Sequence, residues 1–157
     1  MKKNIALKRS GFTLIEILVV IGLIAILAAI VLIAINPARQ FAQARNSQRE
    51  SNVNTILNAI GQDMADNKGV FGGVCGNILP ASTASSSILD AVGTGIDLSC
   101  LAPTYIASNI PRDPTAPTGS ATGYFVSVSS SGRVMVCAPN YAESAITPTP
   151  GAYCLTR

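Results

Sequence analysis

Few residues in this 157-residue chain could do chemistry: four cysteines, and one glutamate inside a long apolar run. The chain has no histidine, which excludes Ser-His-Asp and Cys-His catalysis and every His-ligated metal site. The glycine pairs Gly72-Gly73 and Gly93-Thr94-Gly95 match no phosphate-binding loop spacing. We therefore expect a protein that is not an enzyme and that carries no cofactor.

The cysteines all follow the apolar run, and their number is even: Cys75, Cys100, Cys137 and Cys154. Disulfides persist in oxidising compartments, and four cysteines allow three connectivities. A zinc site made of all four is the competing interpretation, but no C-x2-C pair is present. The pattern favours a disulfide-bonded segment without a metal.

Glu16 is the one charge between Phe12 and Ile35, a run of 24 residues. The 19 residues after it, from Ile17 to Ile35, have no charged or hydrogen-bonding side chain. At ~1.5 Å per residue a helix over this stretch is about 28 Å long, close to the ~30 Å hydrocarbon core of a bilayer. The stretch is apolar on every face rather than along one stripe, which predicts a membrane-spanning helix.

Three simpler interpretations of this run each leave one of its features unexplained. A secretory signal peptide has a shorter apolar region, and Ala34-Ile35-Asn36 is a poor cleavage site. A lipoprotein needs a nearby cysteine, which is missing. A plain membrane anchor fits the length but does not explain Glu16, because an ionised side chain at mid-membrane costs about 2.5–3.5 kcal/mol.

The charges are unevenly distributed. Of the eleven Lys and Arg residues, four lie in the first nine positions, so seven face eight acidic residues once these are set aside: Lys2, Lys3, Lys8 and Arg9. This balance argues against a nucleic-acid ligand bound by phosphate neutralisation. Basic residues flank the apolar run on both sides, so the cysteines decide the orientation, with Met1 to Gly11 in the cytoplasm and residues 36–157 outside.

The nine residues from Lys8 to Glu16 read Lys-Arg-Ser-Gly-Phe-Thr-Leu-Ile-Glu. They closely resemble the class III signal of type IV pilins and type II secretion pseudopilins, in which a short basic leader and a glycine precede an apolar helix. The resemblance implies that a prepilin peptidase cuts between Gly11 and Phe12 and that the new amine of Phe12 is methylated. It also implies that Glu16 neutralises the amine of a neighbouring subunit during assembly.

The same resemblance implies an α+β, pilin-like fold, in which a long N-terminal helix packs on a small antiparallel sheet. We expect a cleaved leader at 1–11, a membrane helix at 12–35, an amphipathic half at 36–68, and a loop-rich and β-sheet domain at 69–157. The implied partners are other copies of the chain, an assembly ATPase, an inner-membrane platform protein, and the membrane before assembly. Ile33 departs from the family, since many members carry a proline there; here the nearest is Pro37.

An amphipathic pattern follows the apolar run. Its apolar side chains share one helical stripe: Val53, Ile56, Leu57, Ile60 and Met64. We expect one helix from Phe12 to about Lys68, bent or interrupted near Pro37, with Gly69 in the left-handed position at its end. Three basic residues are expected on a solvated face rather than against lipid or DNA: Arg39, Arg45 and Arg49.

Residues 69–122 are rich in Gly, Ser, Thr, Ala and Pro, which predicts loops with one short helix near Ser86–Val92. The low charge here fits packing against copies of the chain, or a glycosylated surface around Ser82–Ser87. Asp113 is the only carboxylate between Asp97 and Glu143, too few for calcium.

The runs Tyr124–Ser129 and Arg133–Cys137 flank a glycine-containing turn and predict a β-hairpin. Tyr124, Val126 and Val128 share one of its faces, which suits packing on the helix stripe. The tail after residue 137 reads as turns. Pairing of Cys75 with Cys100 and of Cys137 with Cys154 is preferred, because the second bridge resembles the C-terminal disulfide loop of the pilin family.

Two functions from different classes follow. The first is a structural subunit that is cut at Gly11 and polymerised through its N-terminal helix. The second is a membrane-anchored binding module that never polymerises. The basic leader and Glu16 favour the first, because a passive anchor needs neither. A type IV pilin is preferred over a pseudopilin, because four cysteines and long loops suit an exposed filament surface.

Overall fold

The computed structural model describes residues 11–72, 75–76, 79–80, 85–91, 93–116 and 118–157. Outside this part of the chain lie Ser82 and the basic residues of the leader: Lys2, Lys3, Lys8 and Arg9. The chain divides into two compact units, at residues 1–37 and 38–157. Each unit is described by itself.

Helix α1, Leu14–Ala34, belongs to the first unit. It ends where Ile35 turns to an extended conformation, just before Asn36-Pro37, because the residue before a proline disfavours the helical region. From Leu14 to Leu32 α1 is long and apolar enough to cross a membrane, and its side chains in this stretch are exposed.

Helix α2, Pro37–Asp66, starts with a proline at its first position, where the missing N–H costs nothing. The expected interruption near Pro37 therefore separates two helices. The predicted stripe is confirmed, since Val53, Ile56, Leu57 and Ile60 are buried and Met64 packs against them.

The end of α2 differs from the prediction. The Gly69 N–H donates to the Met64 carbonyl oxygen at 2.7 Å, which is the longer bond of a Schellman motif. The left-handed position of that motif is occupied by Lys68, with φ of 57°, and glycine follows one residue later. The prediction of Gly69 at this position was wrong by one residue.

Five strands form one sheet in the order β2-β1-β3-β4-β5. Their bounds are β1 Ser86–Leu89, β2 Ile96–Asp97, β3 Ala121–Val128, β4 Val134–Ala138 and β5 Tyr153–Thr156. Strands β1 and β2 run parallel and the other neighbours antiparallel, so the sheet is mixed rather than purely antiparallel. Together with the helices it gives the α+β, pilin-like fold.

The predicted hairpin is confirmed as β3 and β4, with Val126 opposite Val136 and Val128 opposite Val134. Tyr124 and Val126 are fully buried in the same core as the α2 stripe, and Val128 packs at its margin. This core stabilises the second unit by removing apolar area from water.

The predicted short helix at 86–92 was wrong, since Ser86–Leu89 forms β1 between two other strands. A short apolar run cannot by itself distinguish a strand from a helix, and here the pairing with β3 decides. Val92 lies outside the described residues. The tail, expected to be turns, adds β5 at the sheet edge.

Two disulfides close loops in the second unit. One joins Cys75 to Cys100, and the other joins Cys137 to Cys154, in the sequential order that was preferred. Cys137 and Cys154 are directly opposed residues of β4 and β5, so the second bridge fastens the edge strand to the sheet.

Candidate processing and assembly site

The predicted cleavage point lies on an open part of the backbone. Gly11 and Phe12 precede α1, and a Cβ added to Gly11 would meet no atom within 4 Å. The Phe12 side chain is 80% exposed. The described chain thus leaves this peptide bond accessible to another protein.

Thr13 is the N-cap of α1, and it forms a capping box with Glu16. The Glu16 N–H donates to Thr13 Oγ1 at 3.3 Å, and the Thr13 N–H donates to Glu16 Oε2 at 3.4 Å. Thr13 had no predicted role, although a threonine three residues before a glutamate is the signature of this motif. The capping box holds the Glu16 carboxylate beside the residues that follow the cleavage point.

The Glu16 carboxylate is only partly compensated. It lies at the helix N-terminus, where the aligned peptide dipoles act as about half a positive charge. Its hydrogen-bond donors are the uncharged N–H and hydroxyl of Thr13. Among the described residues no basic group lies within 4.0 Å of it, so the site retains a net negative charge.

Phe12 and Ile17 hold the two positions of a hydrophobic staple, one before the N-cap and one in the next helical turn. Both line a shallow groove with Leu18 and Ile21 on α1. The apolar ring of Phe12 thus lies along the helix surface, while its nitrogen and the Glu16 carboxylate lie near the helix start.

Of the three basic residues of α2, Arg39 is exposed and Arg45 is partly exposed, but the prediction of a solvated face was wrong for Arg49. Its side chain is 1% exposed. Its Nε donates to Asp113 Oδ2 at 2.6 Å, and its Nη1 donates to Glu143 Oε1 at 2.6 Å. Arg45 forms a two-bond pair with Glu143, at 2.8 and 2.9 Å. We call these four residues the ion cluster: Arg45, Arg49, Asp113 and Glu143.

The ion cluster shifts the pKa of its carboxyl groups. The hydrogen bond from Arg45 is the main cause that lowers the pKa of Glu143 to about 2, and Arg49 adds to it. Burial alone would raise the pKa of Asp113, but hydrogen bonds from Arg49 and Thr115 outweigh burial and hold it below its usual range. Both acids are therefore ionised at neutral pH.

Asp113 is also held by its surroundings. Thr115 donates to Oδ1 through its N–H at 2.8 Å and its hydroxyl at 2.6 Å. A Cβ at Gly123 would come within 2.7 Å of the Asp113 Cβ, so only glycine allows this approach. In the described part of the chain, no three His, Cys, Asp or Glu residues come together as a metal site.

The fold and the N-terminal site together define a class: an α+β, pilin-like chain with an apolar helix suited to a membrane. Residues 7–32 match the family model of the prokaryotic N-terminal methylation motif, which is the signal motif of type IV pilins and pseudopilins. The match covers Gly11, Phe12 and Glu16. Neither a curated protein nor a solved structure matches the chain.

Proposed function

We propose that this chain is the structural subunit of a type IV pilus-like filament. A prepilin peptidase cuts between Gly11 and Phe12 and methylates the Phe12 amine. The α1 helix then holds the subunit in the cell membrane, with the cysteine-containing domain outside. Subunits leave the membrane by packing their α1 helices together into an extracellular filament.

One observation carries this proposal: a single carboxylate begins a helix that is otherwise wholly apolar, within a matched methylation motif. A capping box gives Glu16 neutral donors only, so its charge remains costly in lipid. The amine of a processed neighbour would supply a full positive charge. Paired charges in low dielectric are tolerated where single ones are not, so pairing favours one axial offset between subunits.

The same motif serves the pseudopilins of type II secretion, which form a periplasmic filament. Two disulfides and the loops between β1 and β3 suit a surface that meets the outside medium, and they favour the pilus. A membrane-anchored binding module without polymerisation would use Glu16 only to cap α1 and would leave its charge unpaired in lipid. An assembly ATPase and a platform protein are the further partners that a pilus requires.

The direct test is electron microscopy of filaments sheared from cells, with N-terminal sequencing of the subunit. We expect filaments whose subunit begins at Phe12 with a methylated amine. A protein that still begins at Met1 and occurs only as single copies in the membrane would refute the proposal.

A matched pair of variants separates the charge of Glu16 from its capping role. Glu16→Gln removes the charge, but its side-chain oxygen can still accept the Thr13 N–H. Thr13→Ala removes the cap and keeps the charge. We expect both variants to be inserted and cleaved, and Glu16→Gln to lose filaments far more strongly than Thr13→Ala. Equal filament yields in the wild type and Glu16→Gln would contradict the pairing.

A further inference from the structure

A groove of about 430 Å³ lies between the first half of α2 and the loop closed by Cys137 and Cys154. The α2 wall includes Ser47 and Glu50, and the loop wall includes Tyr141, Ile146 and Pro148. The groove therefore combines an apolar wall with one acidic side chain. All of its residues belong to the second unit.

Glu50 is the charged group of this groove. Its Oε1 accepts a hydrogen bond from the Tyr141 hydroxyl at 2.5 Å. That bond and the negative charge of Glu50 raise the pKa of Tyr141. No basic group of the described chain lies within 4.0 Å of the Glu50 carboxylate, so the groove offers an unpaired negative charge.

A positive charge and an exposed apolar side chain, which would complement this groove, occur together at the C-terminal end of α2. Lys68 is exposed, its side chain has no hydrogen-bond or ion-pair partner among the described residues, and its backbone holds a left-handed conformation that favours glycine. Val70 is 67% exposed. Outside residues 12–35, only Val70 and Phe41 are large apolar side chains that the described structure leaves exposed. The turn from Lys68 to Val70 thus presents one cation and one apolar side chain.

We propose that the Lys68–Val70 turn of one copy binds in the Glu50 groove of a second copy. Lys68 pairs with Glu50, and Val70 packs on Ile146 and Pro148. Within one chain the two sites cannot meet, because the 16 residue steps of α2 from Glu50 to Asp66 span about 24 Å. Two copies in contact are therefore displaced by roughly 25–30 Å along α2.

This contact joins different surfaces of the two copies, so it is head-to-tail and leaves a free turn and a free groove at the ends. Such an interface extends into an open helical array unless its rotation closes a ring. The inference deepens the proposed function and rests on it, since it names the contact that links the outer domains of a filament.

Charge also selects between two grooves. A second apolar groove, of about 310 Å³, lies between Leu57, Met64 and Val134. Its rim carries Arg133 and Arg157, which would repel Lys68. The Glu50 groove is the complementary one.

The chain permits a specific chemical test, because Lys68 is the only lysine after residue 11. A carbodiimide joins an amine to a carboxylate only when the two groups are in contact. Treated wild-type filaments should give a ladder of oligomers in denaturing gels, and mass spectrometry should find the Lys68–Glu50 peptide. Lys68→Arg keeps the charge and should keep the filaments while losing this peptide. Any cross-linked oligomers that still form in treated Lys68→Arg filaments would come from coupling of the Phe12 amine to a carboxylate.

Charge reversal tests the energetic role. Lys68→Glu and Glu50→Lys should each lower the filament yield about tenfold, corresponding to about 1.4 kcal/mol, and the double variant should recover it. Recovery also excludes misfolding as the cause of the single losses. Gln62→Glu is the control, because it adds a negative charge at an exposed site of α2 outside both grooves, and its yield should stay at the wild-type level.

The outcomes separate this contact from the proposed function. Wild-type filaments that give no Lys68–Glu50 peptide, or charge reversals that leave the yield unchanged, overturn the contact and leave the proposed function standing. A processed wild type that forms no filaments overturns the proposed function, and the contact with it.

Discussion

Arg49 joins α2 to two loops that are far from it in sequence. Its guanidinium binds Asp113 before β3 and Glu143 after β4, and it also donates to Asn46 Oδ1 at 2.8 Å. With all its partners present, the buried charge is satisfied. Removal of the guanidinium would leave Asp113 buried and uncompensated, which is the costly way to break a buried ion pair.

We expect Arg49→Met to lower the free energy of unfolding by about 3–5 kcal/mol. Arg45→Met is the matched control, because Arg45 is 35% exposed and its removal leaves Glu143 paired with Arg49. We expect a loss of only about 0–1 kcal/mol, as for a solvated pair. Chemical denaturation of the full chain in detergent, followed by circular dichroism, measures both. Similar losses in the two variants would contradict a structural role particular to Arg49.

Acid should lower the stability that the ion pairs of Glu143 and Asp113 contribute. The pKa of Glu143 is lowered to about 2 and that of Asp113 is also lowered, while the unfolded values are near 4. Groups with a lowered folded pKa contribute stability above the unfolded pKa and lose it as the pH falls through the folded pKa. The thermal midpoint should therefore fall between about pH 4.5 and pH 2. Glu143→Gln should show a flatter pH dependence; an equal slope would refute this assignment.

The burial of Arg49 had a signal in the sequence. The stripe continues backwards from Val53 at the same three- and four-residue spacing, through Arg49, Asn46 and Ala42, all of which are buried. The positive charge of Arg49 predicted a solvated face, whereas its spacing places this residue on the buried stripe. The ion-pair partners of Arg49 lie 64 and 94 residues away in the sequence, and sequence spacing alone could not reveal those pairs.

At the scale of elements, local pairing was predictable and distant pairing was not. The β3–β4 hairpin closes through a short turn, so its alternation and its glycine were enough to predict it. Strands β1 and β2 are four and two residues long, and β1 pairs with a strand some thirty residues later. Such short segments form strands because pairing with neighbouring strands stabilises them, and their own sequence preference is too weak to predict this.

The edge strand β5 depends on its disulfide. Replacement of Cys137 and Cys154 by serine opens a loop with a sequence separation of 17, which should cost about 3 kcal/mol of stability. Hydrogen exchange should then rise at Tyr153–Thr156. Replacement of Cys75 and Cys100 should cost a similar amount but leave exchange in β5 unchanged, because that bridge lies elsewhere. Protected β5 amides after loss of Cys137–Cys154 would contradict this role.

At the scale of the whole molecule, the two units have opposite surfaces. The described apolar side chains of α1 are uncovered, whereas the buried core lies wholly between residues 42 and 138. Among the described residues, all members of this core belong to the second unit. The second unit thus contains the interactions that hold it folded, and the first has apolar surface that only lipid or other helices can cover.

Residues 38–157 should therefore fold without α1. Secreted into an oxidising compartment, this fragment should be soluble, contain both disulfides and unfold cooperatively by circular dichroism. It should also be monomeric at micromolar concentration by light scattering. An exposed pair such as Lys68–Glu50 contributes about 0–1 kcal/mol, less than the several kcal/mol that association costs. Filaments formed by the fragment alone would show that α1 is not what drives assembly, and an insoluble fragment would show that the core needs the first unit.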